Sequence, residues 1–339
     1  MLAGYALKIF LAGYLGPVGY GQYGVVMSIL LWIEMGAING FSTATQKFVA
    51  DDPANIKAVL LSVGKVQIIV NILLFTLGFF NAGAIADLFH DSQFSVLLQI
   101  ALWDIWIYSF YFLFFSALNG LHRFGKQTLV ISVYAISKFL LVVVLVQIFQ
   151  SVQGALIANI LASAVGLIPG ILLIRSDLIK SSRHTVPISG LLKFAVPVAL
   201  NVLIMQLIFS VDLWFVKYYL GNDAAGFYTA ASDIARVPYY LFFALSSVVL
   251  PMLSRALTRA DHELILSTIK SAVRLICIVI TPIAVITAIY SREIILMIFK
   301  SEFIAASDVL RILIWGISLC AYYYLLTTIF NAENKPRLS

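Results

Sequence analysis

Charge is scarce in this sequence: 11% of its 339 residues are Asp, Glu, Lys or Arg, against 62% apolar, and the mean hydropathy is +1.00. A soluble domain carries about a quarter charged residues. So large an apolar excess cannot be hidden inside a water-exposed globule and must face lipid. Cysteine is scarce too. Cys277 and Cys320 both fall in apolar stretches, which excludes a disulfide framework and any Cys/His ligand spacing for a metal. They read as small buried hydrophobes. Long polar segments are also missing. The loops hold no paired carboxylates, nucleophile–base set or metal cluster, so no catalytic residue, metal or cofactor is expected. A membrane glycosyltransferase or polymerase would need a larger loop to hold its acceptor and acids. The formal charge of +6 resides in short turns rather than a basic domain, so no nucleic-acid partner is expected. Alternating segments of about ten residues, the mark of a membrane β-barrel, do not occur.

What is present is a series of apolar runs of helical length. They cover approximately 1–15, 23–46, 58–80, 94–118, 127–149, 152–174, 191–217, 226–250, 271–290 and 307–330. About 20 apolar residues cross a bilayer as a helix, so the fold class is all-α, polytopic and transmembrane, with about ten helices visible. The first run is short, carries Lys8 and lacks a basic leader and cleavage site; it is not a signal peptide. It has the character of the outer part of a helix whose beginning is missing, and Asn331–Ser339 that of a loop feeding another. A fragment is expected. The even-numbered loops hold fourteen basic residues, including Lys47, Lys57, Arg123, Lys126, Arg175 and Lys193, whereas the odd ones hold Lys217, Arg292, Lys300 and Arg311. That bias places the even loops in the cytoplasm of a multi-pass inner-membrane protein.

Two patterns recur. Leu15-Gly16 followed by Gly21-Gln22-Tyr23 returns as Leu220-Gly221 followed by Gly226-Phe227-Tyr228, at a constant offset of 205 residues. Six spans lie between the copies, so both halves cross in the same sense, as parallel repeats with a substrate site at their seam. A weaker echo links Leu118-Asn119-Gly120 with Phe330-Asn331-Ala332. Two motifs are misleading. Gly19-Tyr20-Gly21-Gln22-Tyr23-Gly24 has the dinucleotide-binding spacing, but it lies in an outer turn without a βαβ unit. Gly120 to Lys126 has most of a phosphate loop, but Gln127 stands where a hydroxyl residue would hold magnesium.

Ionisable residues at membrane depth point to function by default. They are Lys8, Glu34, Lys65, Asp104, Lys138, Asp212, Asp233 and Arg236. At 1.5 Å per residue, Lys138 lies about 18 Å from one end of its span, and Asp104 and Arg236 lie about 15 Å in. Asp104, Tyr108 and Tyr111 share one stripe, Tyr134 and Lys138 another, and Pro197, Asn201, Ile208 and Asp212 a third. Asp233, Arg236 and Tyr240 follow at i, i+3 and i+7. Polar stripes on oily helices face protein or a wet cavity, so Arg236, Lys138, Asp104, Asp212, Asn201, Tyr240 and Lys65 are candidates to line a substrate cavity. Lys65 is also shallow enough to snorkel. Asp233 and Glu34 are candidates for a structural ion pair or for coupling. Glu34 stands beside Gly36, Gly40 and Ala44, a small-residue stripe that lets helices approach closely.

These features together resemble the polysaccharide-biosynthesis membrane proteins, the O-antigen flippase type within the multidrug/oligosaccharidyl-lipid/polysaccharide exporter superfamily. The likeness is carried by Gly190-Leu191-Leu192-Lys193-Phe194-Ala195-Val196-Pro197, Asp212, Leu220-Gly221, Gly226-Phe227-Tyr228, Val249-Leu250-Pro251-Met252-Leu253-Ser254 and the first turn around Leu15-Gly16-Pro17. Relatives often carry Arg before that first Leu-Gly; this chain has Tyr14. The resemblance implies a two-lobed bundle of 12–14 helices, of which residues 1–180 would be a six-helix lobe truncated in its first helix. Residues 181–339 would be an incomplete lobe of about four helices. It implies transport of a polyprenyl-(pyro)phosphate-linked oligosaccharide from the cytoplasmic to the outer leaflet. Implied partners are that lipid-linked cargo, membrane lipids, a polysaccharide polymerase and glycosyltransferases. A multidrug or cation antiporter and a lipid II flippase are the alternatives.

Overall fold

A computed structural model describes residues 2–180, 187–240 and 262–332. Among the described residues all regular structure is helical, and eight ranges are long and apolar enough to cross a membrane. The chain forms two compact units, Met1–Gly226 and Phe227–Ser339. This grouping follows packing density, whereas the expected lobe boundary at residue 180 follows the repeat. The two divisions describe different properties.

The first unit opens with α1, Leu2–Asp51. Fifty helical residues would reach about 75 Å, more than twice the ~30 Å of bilayer hydrocarbon. The helix is in fact broken at Gly16, whose φ of 66° and ψ of −179° are available in practice only to glycine. Pro17 restarts the helix in the first-turn position where its missing N–H costs nothing. The sequence ranges 1–15 and 23–46 are therefore the two arms of one broken rod. The same device recurs 205 residues later. Gly221, within α8 (Val211–Ala235), has φ 82° and ψ −165°, so both Leu-Gly copies of the repeat mark the same inversion of the backbone.

The two copies also touch. A side chain on Gly21 would run into the Asn222 carbonyl and the Gly226 amide, and one on Gly226 would run into the Pro17 carbonyl. Positions 17 and 222, and 21 and 226, are equivalents in the repeat, so the contact is reciprocal. Residues 19–24 are helical and serve this close approach. The break itself falls at Gly16, inside the turn that the sequence pattern placed at residues 15–23.

The remaining elements of this unit are α2 (Ile56–Leu88), α3 (Ser92–Leu102), α4 (Asp104–Gly120), α5 (Phe124–Phe149), α6 (Val152–Lys180) and α7 (Ile188–Ile208). Two expected spans differ in detail. The run 94–118 lies in one membrane-length range, Ser92–Gly120, with a single tighter turn at Trp103, whose amide turns to the Ile100 carbonyl at 3.2 Å. The helix restarts at Asp104, where a carboxylate in a first turn suits the helix dipole. The run 191–217 is divided after Ile208, so Asn201 and Asp212 lie on different helices and their expected common stripe does not exist. The Ser210 amide turns to the Leu207 carbonyl at 3.0 Å, and its hydroxyl accepts from the Gln206 amide at 3.3 Å. The expected span 226–250 is described only to Tyr240.

Small residues set the packing. Gly36 meets Leu203 and Gly40 meets the Ala195 backbone and Ala199, so α7 lies directly on the glycine stripe of α1. Without a hydrophobic force between helices in lipid, such close approach is what holds them together. Gly120 meets the Gln46 carbonyl and Val49, tying α4 to α1, and Gly154 meets the Leu145 carbonyl, closing the α5–α6 hairpin. Around these contacts Phe41, Val59, Val63, Leu118, Ile174 and Leu191 form a buried apolar cluster.

The second unit contains α9 (His262–Ile289), α10 (Ser291–Ile298) and α11 (Ala306–Ala332). The Tyr322 hydroxyl lies 2.9 Å from the Thr281 hydroxyl, joining α9 to α11. Phe303 is fully buried between Phe227 and Phe299. Cys277 is exposed and Cys320 half-buried, both as free thiols. The expectation of two buried cysteines therefore fails for Cys277, which is exposed although the Tyr322 hydroxyl of α11 lies 3.8 Å from its sulfur.

Candidate functional site

The interior of the first unit gathers three of the intramembrane charges. Asp104, Tyr108 and Tyr111 stand on one stripe of α4, as their spacing implies, and face Tyr134 and Lys138 from α5. Ring centroids are 4.9 Å apart for Tyr111–Tyr134, 5.6 Å for Tyr108–Tyr111 and 6.0 Å for Tyr108–Tyr134. Room for the stack comes from α6, where a side chain on Gly166 would meet both Tyr111 and Tyr134 at 3.0 Å. The Lys138 ammonium sits 5.6 Å from the Tyr134 ring centroid and 3.4 Å from its hydroxyl.

Asp104 is 1% exposed and Glu34, from α1, is 2% exposed. Both lie within electrostatic reach of Lys138, and Glu34 within that of Asp104. The Asn159 amide of α6 donates to Asp104 Oδ2. The Ser163 hydroxyl, which donates to the Asn159 carbonyl at 3.1 Å, stands within reach of the same carboxylate. Yet Glu34 Oε1, Asp104 Oδ1 and Asn159 Oδ1 are buried without a hydrogen-bond partner. One layer over, Asn71 donates to the Ser109 hydroxyl at 2.7 Å while its own Oδ1 is unmatched. Buried polar atoms are satisfied in more than nine cases of ten. The concentration of exceptions around Asp104 makes this interior cluster the candidate site.

A second polar cluster lies at one end of this unit. Asp91, in the turn between α2 and α3, accepts from Lys217 at 2.7 Å, Gln22 at 2.9 Å and Asn222 at 3.0 Å. Lys217 also donates to the Asn222 side chain. Although Lys217 is a cation, it is 1% exposed. Burial alone would raise the Asp91 carboxyl, but hydrogen bonds from Lys217, Gln22 and Asn222, together with the Lys217 charge, hold it below the ordinary carboxylate value. No buried side-chain atom of these four residues is left unmatched. All four come from odd-numbered turns or the helix ends beside them. Even-numbered turns meet in pairs of their own: Gln46 with Asn119 at 2.9 Å, and Arg123 with Asp177 through two bonds of 2.6 and 2.7 Å. Beside the Asp91 cluster opens a cavity of about 490 Å³ lined by Tyr14, Gln22, Gln93, Gln150 and Gln153 among others.

The other sequence candidates lie elsewhere. Lys65 is exposed on the outer side of α2, away from the interior cluster. Asn201 is exposed on α7, and Asp212 accepts the Leu213 amide at 2.8 Å at the start of α8. In the second unit Asp233 is 6% exposed, Arg236 half-buried and Tyr240 38% exposed, and neither charge stands free of partners. Sequence analysis overlooked Asn159 and Ser163, whose i, i+4 spacing on an oily helix was the available signal. It also counted Lys217 merely as a loop charge and passed over Asp91.

Comparison with known proteins adds family and fold. The sequence model of one family, described as Polysaccharide biosynthesis protein, matches residues 1–257, and that of another, MatE, matches residues 197–339. Comparison with curated proteins finds no match. Among solved structures, the chain is similar to an inward-facing multidrug resistance MATE family transporter of the MOP superfamily. The TM-score is 0.85 at 14% identity, covering 99% of this chain and 81% of that one. It is also similar to the eukaryotic MATE transporter AtDTX14, with TM-score 0.68, 14% identity and coverage of 98% and 79%. A MATE protein in the straight conformation gives TM-score 0.66, 16% identity and coverage of 99% and 79%. At these identities the likeness concerns the fold.

Proposed function

The chain belongs to the polysaccharide biosynthesis protein family, and from that premise we propose that it flips a polyprenyl-(pyro)phosphate-linked oligosaccharide from the cytoplasmic to the outer leaflet of the cell inner membrane. Family and fold are those of a multi-pass membrane transporter of the MOP superfamily. The observation that carries the finer reading is the interior cluster of Glu34, Asp104 and Lys138, with its unmatched oxygens and its wall of tyrosines. In hydrocarbon such atoms are tolerated where they line a passage that admits water or cargo. Lys138 offers a cation to a phosphate, the tyrosine faces offer surfaces to sugar rings, and the carboxylates offer a site for a coupling proton or cation. Arg236, Asp212, Asn201 and Tyr240 are proposed to line the path in the second repeat, with lobes dividing near residue 180. In this orientation the Asp91–Lys217 cluster lies at the outer end of the first unit.

The test is transbilayer movement of a defined lipid-linked oligosaccharide in proteoliposomes. Lys138→Ala should slow it about tenfold, the scale of one lost charge-assisted hydrogen bond. Wild-type protein that leaves this lipid on one side while flipping lipid II would reassign the cargo.

A second reading, a multidrug or cation antiporter, has its own support. The interior cluster contains two carboxylates for one lysine, an acidic balance suited to a cationic substrate, and the MatE match covers residues 197–339. Proton- or sodium-driven efflux of a lipophilic cation by the same proteoliposomes, without movement of the glycolipid, would establish it.

A further inference from the structure

We propose that a groove on the perimeter of the first unit binds an anionic glycerophospholipid from the leaflet at the Lys57 end of the bundle. The groove encloses about 350 Å³ between α2, α4 and the end of α6, with Leu61, Gly64 and Ile68 on one side and Phe110 and Phe114 on the other. Lys57 and Lys65 are its two charged residues.

Three observations converge on this occupant. First, α2 presents a lipid-facing surface: Leu61, Ile68, Ile69 and Ile72 are each more than 40% exposed. Lys65 is exposed among them, and a cation facing lipid is costly unless something of opposite charge meets it. Second, Lys57 lies about 12 Å back along the same helix. Side chains on a helix lean toward its N-terminus, so the stem of Lys65 runs back toward Lys57 and both ammonium groups serve one end of the groove. Third, Gly64 differs from the glycines that hold this bundle together. A side chain on Gly40, Gly120 or Gly226 would strike backbone, whereas one on Gly64 would meet only Leu113 and Phe110, at 4.0 Å. Gly64 therefore does not serve helix approach; it leaves a slot. Two cations at the mouth of an apolar, aromatic-walled slot match a phosphate carrying a hydrocarbon chain. Basic pockets between helices at the cytoplasmic face bind anionic headgroups in this way.

Native mass spectrometry of the purified full chain, with phosphatidylglycerol and phosphatidylethanolamine of identical acyl chains, tests the proposal. Phosphatidylglycerol should be retained about tenfold over phosphatidylethanolamine. Lys57→Gln with Lys65→Gln should abolish that preference, and Gly64→Leu, which fills the slot and keeps both charges, should abolish retention. Unchanged melting temperatures would show that both variants fold. Equal retention of the two lipids, or retention unaffected by Gly64→Leu, would mean that Lys65 merely snorkels and would overturn the proposal. Displacement of phosphatidylglycerol by undecaprenyl phosphate would overturn it too, making the groove a dock for cargo. Glycolipid flipping is scored separately, so either conclusion can fall while the other stands.

Discussion

Two polar clusters in the same unit are built on opposite principles. At one end, Asp91, Lys217, Asn222 and Gln22 satisfy one another around a single carboxylate oxygen. In the interior, Glu34, Asp104 and Asn159 each keep a buried oxygen without a partner. Both clusters are expensive to bury, but only the first recovers the cost within the fold. A closed network holds helices in one arrangement; the open one is where the proposed cargo or coupling ion would enter. The difference is what sets the proposed binding site apart from a fastening.

The comparison can be broken most forcefully at the fastening. Asp91→Leu leaves the Lys217 ammonium buried without its counter-ion, with only the Asn222 side chain to accept from it, and should cost about 3–5 kcal/mol, read as loss of folded protein or a large fall in melting temperature. Adding Lys217→Met should recover much of that loss, since a buried pair replaced by apolar groups is often neutral. Equal damage in the single and double variants would show that the two charges do not act as a pair.

Gly226→Ala tests the reciprocal turn contact that accompanies the fastening. Its methyl group would meet the Pro17 carbonyl, which is backbone and cannot swing aside. A loss of about 1–3 kcal/mol is expected, whereas Gly83→Ala, with open space around it, should raise helix stability slightly. Similar melting temperatures for both would refute the close approach.

At the open cluster the opposite pattern is expected. Glu34→Gln replaces a buried carboxyl with a near-isosteric amide without breaking a hydrogen bond, so stability should stay within about 1 kcal/mol of wild type while transport falls. A variant that unfolds would place Glu34 with the fastening.

The smallest effect concerns acid. The Asp91 carboxyl is held below its ordinary value, so its contribution is present above the unfolded value of about 4 and is lost as pH falls through the lower, folded value. Melting temperature should therefore drop below about pH 4 in wild type. The drop should be shallower in the Asp91→Leu/Lys217→Met variant.

Several features of the fold were legible because they are local or periodic. Apolar run length located the spans, since one segment of helix must cover a fixed thickness of hydrocarbon. The 205-residue offset located Gly16 and Gly221, since a backbone inversion of that kind demands glycine. The stripes Asp104–Tyr108–Tyr111 and Tyr134–Lys138 were visible because helical spacing puts their members on one face. Less legible were the tighter turn at Trp103 and the break at Phe209, where the surrounding residues are as apolar as those of an unbroken helix.

Sequence by itself determined that this chain is a bundle of membrane helices with an internal repeat and a few ionisable groups at depth, because burying charge in lipid leaves a conspicuous trace in composition. Which of those groups meet was decided only in three dimensions. Lys65 and Lys138 look alike as lone lysines in oily helices, yet one faces a lipid groove and the other a wall of tyrosines. Lys217 looks like a loop cation and is buried against Asp91, 126 positions away. Partnership between residues so distant depends on how helices rotate and pack about one another, and no single helix's sequence encodes that.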